Sequence, residues 1–325
     1  CLVGSEMCIR DSKKTVGMMY PDSPGKQFWH IWGPLIIKMG IGFIISSIAA
    51  AIFGVYYLCR HYGINAEVLA DARQMQIISE RFMRDSMELA QTISLKFYDY
   101  TTLVDGVASL ITIPVMWFMF HRDRVRERRV GYVPNKKAPL WKYAAVIIMG
   151  IALCVAMNNL ILIGNFSSIS EEYQMVMEAI YSAPVPLQVL SLGILAPICE
   201  ELVFRGLIFK RIRMRTTYFQ AAFHSALVFG IMHMNLIQMF YGFFLGFVFA
   251  YAYEKYGSVK APIAAHVAAN LVSVFGTNYN WFGWMMEDPM RISVITVICA
   301  TAAATMFVFM QRIEEKPDKI MLQNC

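Results

Sequence analysis

Charge is what this sequence has least of: Asp, Glu, Lys and Arg make up 16% of its 325 residues, against 57% hydrophobic and 14% aromatic. Soluble chains are typically about 25% charged and about 45–50% apolar. A soluble α/β enzyme is therefore excluded, and the mean hydropathy of +0.47 makes the membrane the solvent of this chain. Cysteine is scarce and scattered; after the first dozen residues Cys59, Cys154, Cys199, Cys299 and Cys325 stand as singles without Cys-x-x-Cys spacing. No disulfide framework or zinc ribbon is implied. The sequence has no solenoid-type repeat, no low-complexity tract, and no matching pair of broken helices in its two halves of the kind an inverted-repeat transporter carries.

What it does have is apolar stretches. A helix needs about 20 mainly apolar residues to cross the hydrocarbon core, and eight stretches approach that standard: 35–58, 100–120, 143–164, 186–209, 218–235, 236–253, 261–277 and 292–310. They predict an all-α, polytopic membrane protein with about eight transmembrane helices. The 29 Lys and Arg against 23 Asp and Glu, a net +6, sit between these stretches rather than in a patch for nucleic acid. In 121–142, Arg122, Arg124, Arg126, Arg128, Arg129, Lys136, Lys137 and Lys142 outnumber Asp123 and Glu127, and Lys210, Arg211, Arg213 and Arg215 follow the fourth stretch. Between the third and fourth lie Glu171, Glu172 and Glu178 with no basic residue. By the positive-inside rule both termini are expected in the cytoplasm.

Cys1 to Ser12, CLVGSEMCIRDS, resembles the translation of a sequencing-library adapter and lacks the basic and apolar regions of a signal peptide. It is expected to be an artefact, and without it the net charge is +7. Residues 13–34 then read as a cytoplasmic segment, and 35–183 as three spans with a mixed-charge segment at 66–95 and the basic loop. Apolar residues at helical spacing in 66–95 suit an amphipathic helix on the outer face, a hairpin arm, or a solvated connecting helix. Residues 185–276, the stretch that carries the family resemblance described below, hold spans four to seven, and 292–325 the last span with a cytoplasmic tail.

Ionisable groups inside a span are functional candidates by default. The fourth span reads LAPICEELVFRGLIF, with Arg205 four residues after Glu201. At about 100° per residue these two share a face and can pair, while Glu200 points about a quarter turn away and is left free to accept a proton. The fifth reads SALVFGIMHMN, with Phe229 four before His233; the seventh reads APIAAHVAANL, with His266 four before Asn270. Two sites can be built from these groups. In one, Glu200 and His233 hold and deprotonate a water while His266 and Asn270 stabilise an oxyanion. In the other, Glu200, His233 and His266 bind Zn²⁺ with an open position for water. Either ends in peptide hydrolysis. A proton-coupled transporter and a non-catalytic immunity or scaffold protein are the rival readings.

Glu200-Glu201-x-x-x-Arg205, Phe229-x-x-x-His233 and His266-x-x-x-Asn270, in this order, resemble the three motifs of the CAAX protease and bacteriocin-processing (CPBP) intramembrane protease family; 241–271, YGFFLGFVFAYAYEKYGSVKAPIAAHVAANL, is similar to bacterial members. The resemblance implies an eight-helix membrane endopeptidase, named in the family as a metalloprotease, whose eukaryotic relatives remove the last three residues of prenylated CAAX proteins. It implies water activation by Glu200 and His233, oxyanion stabilisation by His266 and Asn270, and an ordering role for Glu201 and Arg205. The partners implied are the lipid bilayer and a peptide or protein with a hydrophobic or lipidated end. One arithmetic conflict stands out. Glu200 and His266 lie about 15 and 9 Å from the basic turn, but His233 lies about 24 Å from Tyr218. Span five is therefore expected to start outside the membrane, tilt or bend, so that the four residues meet in one cavity open to the cytoplasm.

Overall fold

The computed structural model describes residues 23–129, 132–168 and 170–313, and the backbone of 319–320. The adapter-like stretch, 13–22 of the N-terminal segment and most of the C-terminal tail lie outside the described residues.

All eight predicted spans are helices. The first, α1, runs Pro24–Tyr62, with Pro24 at its first turn and Gly63 closing it in the left-handed conformation. It starts well before residue 35, because an apolar count does not see the polar turn in front of a span. The 66–95 segment is chiefly α2 (Ala72–Phe97), capped by Asp71, whose Oδ1 accepts from the N–H of Arg73 at 2.9 Å. A 3₁₀ turn, Tyr98–Tyr100, carries it into α3 (Thr101–Arg129), so that the helix is continuous over 58 residues. At 1.5 Å per residue that is about 87 Å, against about 30 Å of hydrocarbon. A helix collinear with a span stands off it as an arm, and this one leans on α1 through Phe53, which meets Phe97 at 5.7 Å and Tyr100 at 5.1 Å. The basic loop is likewise helical as far as Arg129.

The third span is α4 (Tyr143–Ile163), followed by a shorter α5 (Glu171–Tyr181) capped by Ser170. The fourth, α6, runs Val185–Arg213 and is the axis of the molecule: every residue of Leu202–Phe209 is buried. Then come α7 (Tyr218–Ile231), α8 (Leu236–Tyr256), α9 (Lys260–Asn278), the short α10 (Trp281–Met286) and α11 (Pro289–Gln311). A two-residue antiparallel pairing joins Tyr132–Val133 to Lys319–Ile320.

By length and apolarity six segments qualify to cross a bilayer. The exceptions are α7, with only 14 residues, and α9, whose Lys260, His266 and Asn270 dilute its apolar content. These two helices carry the third motif and the Phe229 end of the second.

Polar ties fix the helices where hydrophobicity cannot choose between a lipid tail and a leucine. Arg211 on α6 donates from Nε to Asp123 on α3 at 2.7 Å and from Nη1 to the carbonyl of His30 on α1. Asn159 on α4 donates to Thr296 on α11 at 3.0 Å, and Ser225 on α7 donates to the Phe204 carbonyl at 3.0 Å. Where α7 crosses α8, Gly246 permits the approach: a Cβ there would lie 2.9 Å from the Ala226 Cα and 3.1 Å from Arg205 Nη2. Gly246→Ala is expected to destabilise the protein by about 1–3 kcal/mol through overpacking, read as a lowered thermal midpoint in detergent.

Candidate active site in the helix bundle

The middle of α6 is not a uniform α-helix. Wider π-helical turns, Val189–Leu195 and Leu202–Phe209, flank the α-helical Ala196–Glu201. Such turns are rare and concentrate at functional sites. In the first of them the Ala196 N–H reaches five residues back to the Ser191 carbonyl. Continued by one residue, that register would require an N–H from Pro197 for the Leu192 carbonyl, and proline has none. Asn270 on α9 supplies it instead, donating from Nδ2 at 2.9 Å. One amide hydrogen of Asn270 is thus committed to holding α9 on α6, and the second remains for other work.

Glu201 and Arg205 pair as their spacing predicts, Arg205 Nη1 to Glu201 Oε1 at 2.8 Å, both side chains 0% exposed. The pair is not self-contained. The same Glu201 oxygen meets His266 Nδ1 at 2.9 Å. Carboxylate oxygens only accept, so His266 carries a proton on Nδ1 and directs Nε2 away, toward Glu200 Oε2 at 3.8 Å. One imidazole therefore stands between the two glutamates. Arg205 Nε and Nη2 have no hydrogen-bond partner among the described residues. Aromatic faces take that role: the guanidinium lies 4.4 Å from the Phe229 ring centre and 5.3 Å from that of Phe249. Phe249 also stacks on His266, 4.8 Å away and 28° from parallel. Sequence reasoning missed Phe249, since one phenylalanine among the many of α8 carries no signal of its own.

Phe229 is the other side of this clamp. Its ring meets His233 and His266 edge-on at 5.0 and 5.8 Å, and its carbonyl receives His233 Nδ1 at 2.9 Å. His233 then presents Nε2 as an acceptor. This residue is not on α7: it lies two residues past Ile231, in a turn where Met234 takes φ +60° and Asn235 Nδ2 holds the His233 carbonyl at 3.2 Å. The depth conflict is resolved without a bend in α7, which is α-helical throughout. Because α6 continues to Arg213, Glu200 lies about 20 Å from its end, and α7 is about 21 Å long. The turn after α7 therefore arrives near the level of Glu200.

Glu200, His233, His266 and Asn270 all line one cavity of about 450 Å³, with Phe229 in its wall. Glu201 and Arg205 lie behind that wall. The cavity also reaches Tyr173 and Tyr181 of α5 and Tyr241 of α8, none of which the motifs mark. As for zinc, a His₂Glu centre needs three donors within bonding distance of one point. Among the described residues no three His, Cys, Asp or Glu side chains gather in that way. As placed, these donors do not close around a metal ion.

The fold and cavity define a multi-pass helical membrane protein with an internal site of carboxylates, imidazoles and an amide. Residues 182–272, which hold all three motifs, match the model of the type II CAAX prenyl endopeptidase Rce1-like family. The "Putative membrane peptidase YdiL" of Bacillus subtilis (strain 168) is 35% identical over 101 residues, 31% of this chain and 41% of that protein. The chain thus aligns with about two fifths of the length of the curated relative it matches. No solved structure matches the chain.

Removing one member of a buried pair strands the other charge. Arg205→Met is expected to lower stability by about 3–5 kcal/mol, and the double variant Glu201→Gln/Arg205→Met by clearly less, as a double-mutant cycle of unfolding in detergent will show.

Proposed function

We propose that the protein is a membrane endopeptidase that cleaves a peptide bond near the hydrophobic or lipidated end of a peptide or protein, by attack of a water activated at Glu200. The observation that carries this reading is the division of the motif residues: Glu200, His233, His266 and Asn270 face one cavity, while Glu201 and Arg205 are sealed behind it.

Glu200 and His233 Nε2 hold the water, and Glu200 takes its proton as the oxygen attacks the scissile carbonyl carbon. The resulting oxyanion accepts hydrogen bonds from the uncommitted amide hydrogen of Asn270 and from His266 Nε2, with the imidazole doubly protonated and Glu201 as its counter-charge at Nδ1. Collapse of the intermediate breaks the C–N bond, and the proton on Glu200 passes to the leaving nitrogen. Glu201 and Arg205 position His266 and do not touch the substrate. The basic residues of 121–142 support an orientation with both termini on the cytoplasmic side, whereas the cavity, which reaches α5, extends toward the acidic segment that this orientation places outside.

The test is hydrolysis of a leucine-rich peptide by purified protein in liposomes. Glu200→Gln and His233→Ala are each expected to lose at least about a hundredfold in kcat. Turnover that survives both substitutions contradicts the reading. Loss in the wild type on adding a chelator, restored by Zn²⁺, assigns the activated water to a metal held by Glu200, His233 and His266 instead.

A further inference from the structure

The motifs account for every charge at the site except two. Lys38, between Ile37 and Met39 in the apolar run of α1, lines the same cavity as Glu200, and so does Asp105 near the start of α3. Neither lies in the segment that matches the family. Sequence reading could have flagged both, as ionisable residues inside predicted spans, but they belong to no motif.

A lysine within an apolar helix has two ordinary fates. It snorkels to the headgroups, or it pairs with a carboxylate. Lys38 does neither here: it faces the cavity, and among the described residues it makes no hydrogen bond and no ion pair. It shares the cavity wall with Asp105, Cys199 and Glu200. The register agrees. The bond from Arg211 to the His30 carbonyl brings those two residues to one level. From there Lys38 is eight residues along α1 and Glu200 eleven back along α6, about 12 and 16 Å in the same direction. The axial offset of about 5 Å equals one to two residues of extended peptide. One turn beyond Lys38, a Cβ on Gly42 would meet nothing within 4 Å, so the wall beside the ammonium is open.

We propose that Lys38 binds the free C-terminal carboxylate of the substrate. This rests on the endopeptidase reading above. Arg205, the other cation of the site, is sealed with Glu201 between two aromatic faces and has no exposure, which leaves Lys38 as the cation that an entering anion can meet. A cavity of about 450 Å³ has the size of a drug-like ligand site, enough for a short tail but not for a chain passing through in both directions. The anion that accompanies an apolar peptide into such a space is its own terminus. Asp105 opposes an entering carboxylate, so its removal should act in the opposite direction to removal of Lys38.

The experiment compares one leucine-rich peptide with a free C-terminus against its C-terminal amide, in phosphatidylcholine liposomes, for wild type, Lys38→Gln, Lys38→Arg and Asp105→Asn. Binding of both peptides to Glu200→Gln protein, with and without Lys38→Gln, is measured separately by fluorescence. Wild type is expected to favour the free acid by at least about tenfold in kcat/KM, Lys38→Gln to bring that ratio close to one, Lys38→Arg to restore it, and Asp105→Asn to raise it. Equal use of acid and amide by the wild type, or a preference that persists in Lys38→Gln, overturns the proposal. Loss of the preference when phosphatidylglycerol replaces phosphatidylcholine also overturns it, by assigning Lys38 to a lipid headgroup. If no peptide is cleaved, the endopeptidase reading fails, and the binding arm still decides whether Lys38 selects a carboxylate.

Discussion

The arrangement depends on a single buried oxygen. Glu201 Oε1 accepts from Arg205 on its own helix and from His266 on α9, and through Arg205 it reaches the rings of Phe229 on α7 and Phe249 on α8. Four helices are thereby fixed around one carboxylate with no exposure to solvent or lipid. A buried charge that loses its partner is strongly destabilising. The network is therefore an all-or-none clamp, and its side effect is to set the tautomer and aim of His266. Catalytic precision, on this account, is inherited from packing.

The second constraint is backbone accounting within α6. A membrane helix must satisfy its carbonyls internally or borrow a donor from a neighbour. Pro197 removes one donor, wider turns on either side of Ala196–Glu201 shift the register, and Asn270 and Ser225 supply bonds to the Leu192 and Phe204 carbonyls. The borrowed bonds lock α7 and α9 against α6 at two depths. The short α7 is tolerated because it is packed between α6 and α8 and need not span by itself; its early end is what allows a turn to carry His233 inward.

Much of this was legible in the sequence, and the rest was hidden for definite reasons. Six of the eight predicted spans follow from apolar length alone, and the Glu201–Arg205 pair follows from a spacing of four on one helix. The contact of His266 with Glu201, the use of Asn270 on Leu192, and the aromatic cover of Arg205 each join residues on different helices, whose rotation and depth no local pattern specifies. His233 misled the arithmetic because an apolar run does not announce where its helix stops; the left-handed Met234 and the cap at Asn235 do that. The 66–95 segment left three outcomes open, since an amphipathic pattern does not say whether a helix lies on a surface or continues a span. Lys38 and Asp105 were legible as charges in apolar runs, yet only the shared cavity gives them a common context.

The two adjacent carboxylates divide their labour: Glu201 holds the bundle, and Glu200 is left free of structural duty. Thermal unfolding of Glu200→Gln and Glu201→Gln, side by side in the same detergent, tests this division most directly. The account predicts that Glu200→Gln unfolds close to the wild-type midpoint, while Glu201→Gln, which leaves Arg205 without its counter-charge, unfolds at a clearly lower temperature. Equal midpoints, or a larger loss in Glu200→Gln, would contradict it.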